Sequence, residues 1–209
     1  MSETANYTRK CYDLVMERIL GGNLRPGDEI NRREIAMQVG ASIAPVNEAL
    51  GQLRTEGFVE VAPRRGTRVR PISREDLAGL LIVRQALECE AARLYHGDPV
   101  RQARDKLLGL AVELDRSRPG SIENERGEVR FHRALVALTG RPILMEEHEK
   151  IMRRRLFFRI SIVMASEFEL GIGPHSQLVD ELETKDPDKA EAAMRRHLER
   201  GRTGVSRSL

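Results

Sequence analysis

Residues 31–56, NRREIAMQVGASIAPVNEALGQLRTE, contain two short helical patterns separated by a glycine. The first pattern predicts a helix over 32–39, because Asn31 is a favoured N-cap residue. The second predicts a helix over 44–56, with Ser42 as the residue that caps its first turn. Two short helices with such a tight connection are typical of a helix-turn-helix.

Two short alternating stretches follow these helices. Residues 58–61 and 67–70 alternate like β-strands around the turn sequence PRRG at 63–66. Residues 64–70 include four arginines and no acid. A basic hairpin after a helix-turn-helix is the arrangement of a wing, which places cations against phosphates or in the minor groove. The pattern therefore predicts a DNA-binding winged helix-turn-helix, and the alternative is a small helical domain with a solvated basic loop.

The composition is that of a folded domain rather than a disordered chain. The 209 residues are 40% hydrophobic and 32% charged, with a net charge of +3 and a mean hydropathy of −0.43. No apolar stretch is long enough to cross a bilayer, and the first residues lack the features of a secretory signal. Cys11 and Cys89 are too few for a disulfide framework, so we expect small buried residues there. A cytoplasmic protein without membrane segments is the expectation.

Nearly everything after residue 71 follows the periodicity of amphipathic helices, which must pack against one another. An apolar stripe in the first of them is predicted to face the core, and its members are Leu77, Leu80, Leu81, Leu87 and Leu94. The six predicted helices cover residues 73–96, 99–117, 121–139, 142–169, 174–184 and 187–203. The predicted fold is thus mostly α, with an N-terminal winged helix-turn-helix domain over 1–71 and a C-terminal antiparallel α-helical bundle over 72–209.

Four residues of the predicted bundle have side chains that bind divalent metals. Glu128 and His132 lie four residues apart in one predicted helix and therefore share a face. His175 begins the fifth predicted helix, and His197 lies in the sixth. One carboxylate and three imidazoles suit Zn, Ni or Mn. Spacing alone leaves open the alternative that the Glu–His pair is a surface contact and that the histidines bind nothing.

A spaced set of motifs in the first seventy residues resembles the GntR family of bacterial transcription regulators. The motifs are Leu24-Arg25-Pro26-Gly27-Asp28, Arg33-Glu34-Ile35-Ala36, Pro45-Val46-Asn47-Glu48-Ala49-Leu50, Gly57-Phe58-Val59 and Arg64-Arg65-Gly66-Thr67-Arg68-Val69. The resemblance implies a homodimer that binds double-stranded DNA at a palindromic operator. The DNA contacts that it implies are Arg33, Ser42, Asn47, Arg64 and Arg65.

The recognition helix departs from the family pattern. The family usually reads Ser-Arg-Thr-Pro-Val-Arg-Glu where this chain has SIAPVNE at 42–48, so arginines are missing at Ile43 and Asn47. Arginine is the usual bidentate reader of guanine, whereas asparagine suits adenine. Fewer cations also lower the affinity for DNA and its dependence on salt.

The C-terminal half resembles the FCD ligand-binding domain of FadR-type GntR regulators, and six helices are similar to its shorter VanR-like branch. The motifs that carry this resemblance are Arg84-Gln85-Ala86-Leu87-Glu88, Ala91-Ala92-Arg93-Leu94, Phe131-His132-Arg133-Ala134-Leu135, Leu178-Val179-Asp180-Glu181-Leu182 and His197-Leu198. In metal-binding members an Asp and three His hold the ion beside a small effector, often a carboxylic acid. The matching positions here are Glu128, His132, His175 and His197, with Glu in place of the family's Asp.

Arg84 matches an arginine that commonly faces the effector in this family, where a guanidinium pairs well with a carboxylate. Its alternative role is a structural ion pair with Glu88, four residues later on the same helix. We interpret His96 and His148 as surface or helix-end residues. The run RRR at 153–155 could reach the effector, but a solvated helix face is the favoured interpretation.

The leading hypothesis is a dimeric repressor whose operator affinity depends on a small carboxylate bound at or near the metal. A second hypothesis is a regulator for which the metal itself is the effector. A third is a metal-dependent enzyme, for which Glu128 is already used as a ligand and no other general base is evident.

Overall fold

A computed structural model describes residues 3–62, 66–163 and 174–206. The chain divides into two compact units, Met1–Ser73 and Arg74–Leu209. The fold is mostly α-helical, as the sequence predicts.

The first unit is a winged helix-turn-helix, in agreement with the sequence. Its elements in chain order are α1 (Glu3–Leu20), α2 (Arg32–Val39), α3 (Ile43–Thr55), β1 (Val59–Ala62) and β2 (Gly66–Val69). Helix α1 packs against both α2 and α3. Apolar side chains from these elements form the core, each removed from water at a gain of about 1.5–3 kcal/mol. They include Val15, Ile19, Ile35, Val46, Leu53 and Phe58.

The two helices of the helix-turn-helix begin differently. Asn31 caps α2 as predicted, since its Oδ1 accepts hydrogen bonds from the backbone N–H of Arg33 at 3.1 Å and of Glu34 at 3.2 Å. Gly40 ends α2 in the left-handed conformation, with φ of 70°, which glycine adopts without steric cost. Ser42 precedes α3, but within the described residues its side chain makes no capping hydrogen bond. The prediction of a side-chain cap at Ser42 is therefore wrong.

Replacing Asn31 with alanine is expected to lower the free energy of unfolding by about 1 kcal/mol, because the first N–H groups of α2 lose their acceptor. Ser42→Ala is the matched control, and we expect a change below about 0.5 kcal/mol. Urea denaturation of both variants measures the difference. Equal losses would contradict this assignment of the caps.

The hairpin pairs antiparallel, with Glu60 opposite Arg68. These two side chains form an ion pair at 2.6 Å, so Arg68 belongs to a cross-strand contact rather than to an unpaired basic face. Arg32 Nη2 donates to Thr67 Oγ1 at 2.7 Å and so ties the start of α2 to β2. Arg64 and Arg65, the predicted tip of the wing, lie outside the described residues.

The described part of the second unit contains seven helices, against six in the sequence-based prediction. They are α4 (Arg74–Tyr95), α5 (Asp98–Gln102), α6 (Arg104–Arg116), α7 (Ile122–Ala137), α8 (Pro142–Val163), α9 (His175–Leu182) and α10 (Pro187–Ser206). The extra helix arises because the predicted helix 99–117 is broken at Ala103, where ψ is 5°. Contacts from elsewhere hold this break, since Val100 is buried and Arg101 Nη1 donates to the carbonyl of Glu183 at 2.8 Å. The end of the predicted helix 142–169 lies outside the described residues.

The bundle packs α4 against α7, α8 and α10, and α6 against α7 and α9. Gly127 permits the close approach of α7 to α6, because a Cβ there would lie 2.9 Å from Leu114 Cδ1. The largest buried apolar side chains of this unit include Tyr95, Leu107, Leu114, Phe131, Leu135 and Leu182. No helix among the described residues combines the length and the apolar character needed to span a membrane.

The inward face of α4 differs from the predicted leucine stripe. Leu77 and Leu80 are buried, but Leu94 is 50% exposed. Arg84 and Glu88 take the inward positions instead, at 5% and 1% exposure. The prediction that Leu94 faces the core is wrong because it rested on the periodicity of the leucines alone. Burial of an ion pair requires partners from other helices, which periodicity does not reveal.

Candidate metal centre and DNA-contacting surface

Three buried histidines from three helices meet inside the bundle. His132 comes from α7, His175 is the first residue of α9, and His197 comes from α10. One ring nitrogen of each lies within 4.8 Å of one nitrogen of each of the others. We call these residues the histidine cluster. Imidazole nitrogens at this separation can bind one divalent ion.

Glu128, the fourth predicted ligand, lies beside the histidine cluster. It is one turn before His132 on α7, and its Oε2 lies 3.6 Å from His132 Nε2. Its Oε1 is 2.8 Å from His175 Nε2. Two buried guanidinium groups face the same carboxylate, with Arg155 Nη2 at 3.2 Å and Arg84 Nη2 at 3.5 Å from Oε2. The structure therefore places Glu128 against two of the three histidines, and it adds two cations around this carboxylate.

Burial and charge shift the pKa values of the histidines in different directions. Burial lowers the pKa of His132 to about 4 and that of His197 well below its ordinary value, so both rings are neutral at pH 7. Burial opposes protonation of His175 too, but its hydrogen bonds to Glu128 and Asp115 outweigh this effect and raise its pKa. Although burial favours the neutral acid, Arg155 and His175 keep the pKa of Glu128 well below its ordinary value.

These residues fit a zinc-type ion. The Nε2 of His132 is buried and has no hydrogen-bond partner among the described residues, and such an unpaired nitrogen in a neutral ring is available to a metal. The donor set of three nitrogens and one carboxylate suits Zn, Ni or Mn. His175 must release a proton before its Nε2 can bind, because that nitrogen now contacts Glu128.

Zinc affinity is therefore expected to rise as the pH increases from the ordinary histidine pKa of about 6.5 through the raised pKa of His175, because the proton on His175 competes with the metal. His132 and His197 are already neutral over this range and add no slope. One displaced proton gives at most a tenfold gain in apparent affinity per pH unit. Competition with a chromophoric chelator measures the slope, and an affinity independent of pH would contradict the assignment.

The free energy of unfolding of the metal-free protein should show the opposite trend and fall as the pH rises. The raised pKa of His175 means that its protonation stabilises the folded state fully below the ordinary histidine pKa of about 6.5. This contribution is lost as the pH rises through the raised value.

Arg84 forms the structural ion pair with Glu88 that the sequence analysis gave as its alternative role. Its Nε donates to Glu88 Oε1 at 2.7 Å, and both side chains are buried. Its Nη2 is also buried but has no hydrogen-bond partner among the described residues, and it points towards Glu128. This edge of the guanidinium therefore makes a long ionic contact with Glu128 at 3.5 Å and no hydrogen bond among the described residues.

Two residues that sequence reasoning placed elsewhere contribute to this site. His148 is not a surface residue, since it is 1% exposed and its Nε2 lies 3.0 Å from Glu88 Oε1. Arg155 is not on a solvated face, since it is 4% exposed and its Nη1 donates to Glu125 Oε2 at 3.0 Å. Nothing local in the run RRR distinguishes Arg155 from its neighbours. Only the packing of α8 against α7 does so.

His96, also predicted to be a surface or helix-end residue, is half-buried and contacts the carbonyl of Thr184 at 3.0 Å.

The predicted DNA contacts that the structure describes are on the surface of the first unit. Arg33 on α2 is exposed, and so are Ser42 and Asn47 at the start of α3. Ile43 is 40% exposed beside them, and Ala44 is exposed as well. The start of this helix therefore presents the amide of Asn47 and the apolar side chains of Ile43 and Ala44, at positions where the family pattern has arginines at 43 and 47.

Comparison with known proteins matches both units to described families. The family model "Bacterial regulatory proteins, gntR family" matches residues 8–69, and the model of the FCD domain matches residues 80–200. A relative named "Probable D-xylose utilization operon transcriptional repressor", from Paenarthrobacter nicotinovorans, is 30% identical over 199 residues. That match covers 89% of this chain and 83% of the relative. The HTH-type transcriptional repressor RspR of Escherichia coli K12 is 23% identical, over 95% of this chain and 89% of its own.

Solved structures support the fold. A transcriptional regulator GntR from Rhodococcus sp. RHA1 has a TM-score of 0.77 at 21% identity. McbR/YncC of E. coli has a TM-score of 0.69 at 19% identity. Each match covers 97% of this chain and 98% of the other. Identities this low show a shared fold and do not extend to ligands.

Proposed function

Since this chain belongs to the GntR family of bacterial regulators and is a DNA-binding transcriptional repressor rather than an enzyme, we propose that it acts as a homodimer controlled at a metal centre in its FCD domain. The metal is held by Glu128, His132, His175 and His197, and zinc is the best candidate. A small carboxylic acid, bound at or near the metal, controls the affinity for a palindromic operator.

The observation that carries this proposal is the histidine cluster. Its three histidines are buried at 0–5% exposure and lie within 4.8 Å of one another. Both ring nitrogens of His132 lack a hydrogen-bond partner among the described residues, which is costly without a ligand that uses a lone pair. A bound divalent ion supplies a Lewis acid to which an effector carboxylate can coordinate. Arg84 Nη2 lies 3.5 Å from Glu128 Oε2. Its guanidinium is suited to pair with a second oxygen of the effector carboxylate.

The arrangement also supports a coupling between the site and the rest of the bundle. The ligands come from α7, α9 and α10, and α4 contributes Arg84. Helix α4 begins at Arg74, the residue after the DNA-binding unit ends. An effector changes operator affinity only through different affinities for the DNA-bound and free arrangements of the repressor.

A homodimer is supported by an apolar face on α4. Val83 and Leu94 are 44% and 50% exposed, and their spacing of eleven residues places them on one side of the helix. A second copy of the chain would bury this face, and the two-fold symmetry of the pair matches a palindromic site.

The test is the selection of sheared genomic DNA by the purified protein at near-physiological salt, with sequencing of the bound fraction. We expect enrichment of one short palindrome. Arg33→Ala is expected to weaken its capture, whereas Arg9→Ala, an exposed change on α1, serves as the control. Capture of DNA without sequence preference, lost on raising the salt, would overturn the operator proposal.

A second candidate is a regulator for which the metal is itself the effector, and one observation favours it. Arg84 and Arg155 already contact Glu88, Glu125 and Glu128 at 2.7–3.5 Å, so an effector carboxylate must compete with internal carboxylates for them. Repeating the operator binding measurement over a zinc titration, without any organic ligand, distinguishes the two. A change in operator affinity with zinc alone supports the metal as effector.

A further inference from the structure

Two carboxylates outside the predicted ligand set contact two members of the histidine cluster. Asp115 Oδ1 lies 2.6 Å from His175 Nδ1, and Glu88 Oε2 lies 2.7 Å from His132 Nδ1. In both histidines the carboxylate contacts Nδ1, and Nε2 is the nitrogen nearer Glu128. The same relation therefore occurs twice, with the carboxylates supplied by two different helices, α6 and α4.

Asp115 fixes His175 through the backbone as well as through the ring. Helix α9 begins after Pro174, which has no side-chain cap. Asp115 supplies the missing acceptors from α6, since it accepts from the backbone N–H of His175 at 3.0 Å and of Ser176 at 3.3 Å. One carboxylate thus holds the first turn of α9 and the ring that this turn carries. These bonds keep the pKa of Asp115 low in spite of its partial burial.

Glu88 joins His132 to two other helices. Its Oε1 accepts from Arg84 Nε at 2.7 Å and lies 3.0 Å from His148 Nε2, while its Oε2 faces His132. The contact with His132 is short but is not aligned as a straight hydrogen bond. Although burial favours the neutral acid, Arg84 and His132 keep the pKa of Glu88 well below its ordinary value. This one carboxyl group therefore faces Arg84 from α4, His132 from α7 and His148 from α8.

We propose that Glu88 and Asp115 are positioning residues for the metal centre, an inference that rests on the proposed function. Asp115 holds a proton on Nδ1 of His175 through a hydrogen bond. Glu88 lies 2.7 Å from Nδ1 of His132 and orients its ring electrostatically, so both carboxylates direct Nε2 of their histidines towards the ion. Each also makes that imidazole a more basic ligand. Neither residue binds the metal itself.

The test compares zinc affinity in wild type, Glu88→Gln and Asp115→Asn, by competition with a chromophoric chelator. Each variant is expected to bind zinc about 10–100-fold more weakly than wild type. Glu90→Gln and Glu113→Gln are matched controls, because they remove the same charge from exposed positions two residues away on the same helices. We expect wild-type affinity for both controls.

A second readout separates positioning from general destabilisation. The visible absorption of the cobalt(II)-substituted protein reports ligand geometry, and it should change in Glu88→Gln and Asp115→Asn but not in the controls. Far-ultraviolet circular dichroism checks folding, and Asp115→Asn tests the inference at a less buried site if Glu88→Gln does not fold. Wild-type zinc affinity and spectrum in the folded variants would overturn this inference alone. Failure of the wild type to bind zinc or cobalt would overturn the proposed metal centre and this inference together.

Discussion

Replacing His132 and His197 together with alanine is expected to abolish the retention of zinc by the purified protein. The double substitution removes two of the three clustered nitrogens, from α7 and α10. His175 and Glu128 alone provide too few ligands for a tetrahedral site. Metal analysis after gel filtration should give stoichiometric zinc for wild type and background for the double variant.

His96→Ala is the control for this experiment. His96 is also a histidine of the bundle, but it contacts the carbonyl of Thr184 and lies outside the histidine cluster. This variant should retain zinc as wild type does. Circular dichroism should show a helical fold for both variants. Stoichiometric zinc in a folded double variant would refute the assignment of the ligands.

Arg155→Ala is expected to lower the free energy of unfolding of the metal-free protein by about 3–5 kcal/mol, because it breaks a buried ionic contact from one side. The guanidinium of Arg155 contacts Glu125 Oε2 at 3.0 Å and Glu128 Oε2 at 3.2 Å. Both carboxylates are 1% exposed and cannot be solvated by water in its place. Urea denaturation, with the slope checked for a constant value, measures the loss.

Two further variants test the cause of this loss. Arg154→Ala changes the preceding residue, which is only half-buried, and we expect a loss below about 1 kcal/mol. Arg155→Met combined with Glu125→Leu replaces this pair by apolar groups of similar size. It is expected to recover the part of the loss that Glu125 causes, while Glu128 still lacks its contact with Arg155. A loss for Arg155→Ala as small as that for Arg154→Ala would contradict the ionic role of Arg155.

Local chemistry explains why much of the first unit could be predicted from the sequence. The bounds of α2 follow from Asn31 and Gly40, which act within one turn of the helix. The hairpin follows from alternation over a few residues, and its observed bounds differ from the predicted ones by one residue at each end. Ser42 shows the limit of this reasoning, because a favourable residue type at the right position forms no side-chain cap there.

The candidate ligands could be predicted only in part from local patterns. Spacing alone related only Glu128 to His132, since both lie on one helix face. The resemblance to the FCD domain matched these two residues and the candidates His175 and His197 to one metal-binding set, and the structure brings the three histidines to the same place. Residues this far apart in sequence become neighbours only when α7, α9 and α10 pack together, which no local pattern encodes.

The sequence by itself determined the two-part architecture, the winged helix-turn-helix and the identity of the candidate ligands. The tertiary structure decided which charged groups surround those ligands, including the buried Glu88 and Arg155 and the more exposed Asp115. It also decided that α4 turns an ion pair inward while Leu94 is exposed. The physical reason is that a charged side chain is buried only where oppositely charged partners from other helices meet it. Those partners are brought together by the packing of the whole bundle.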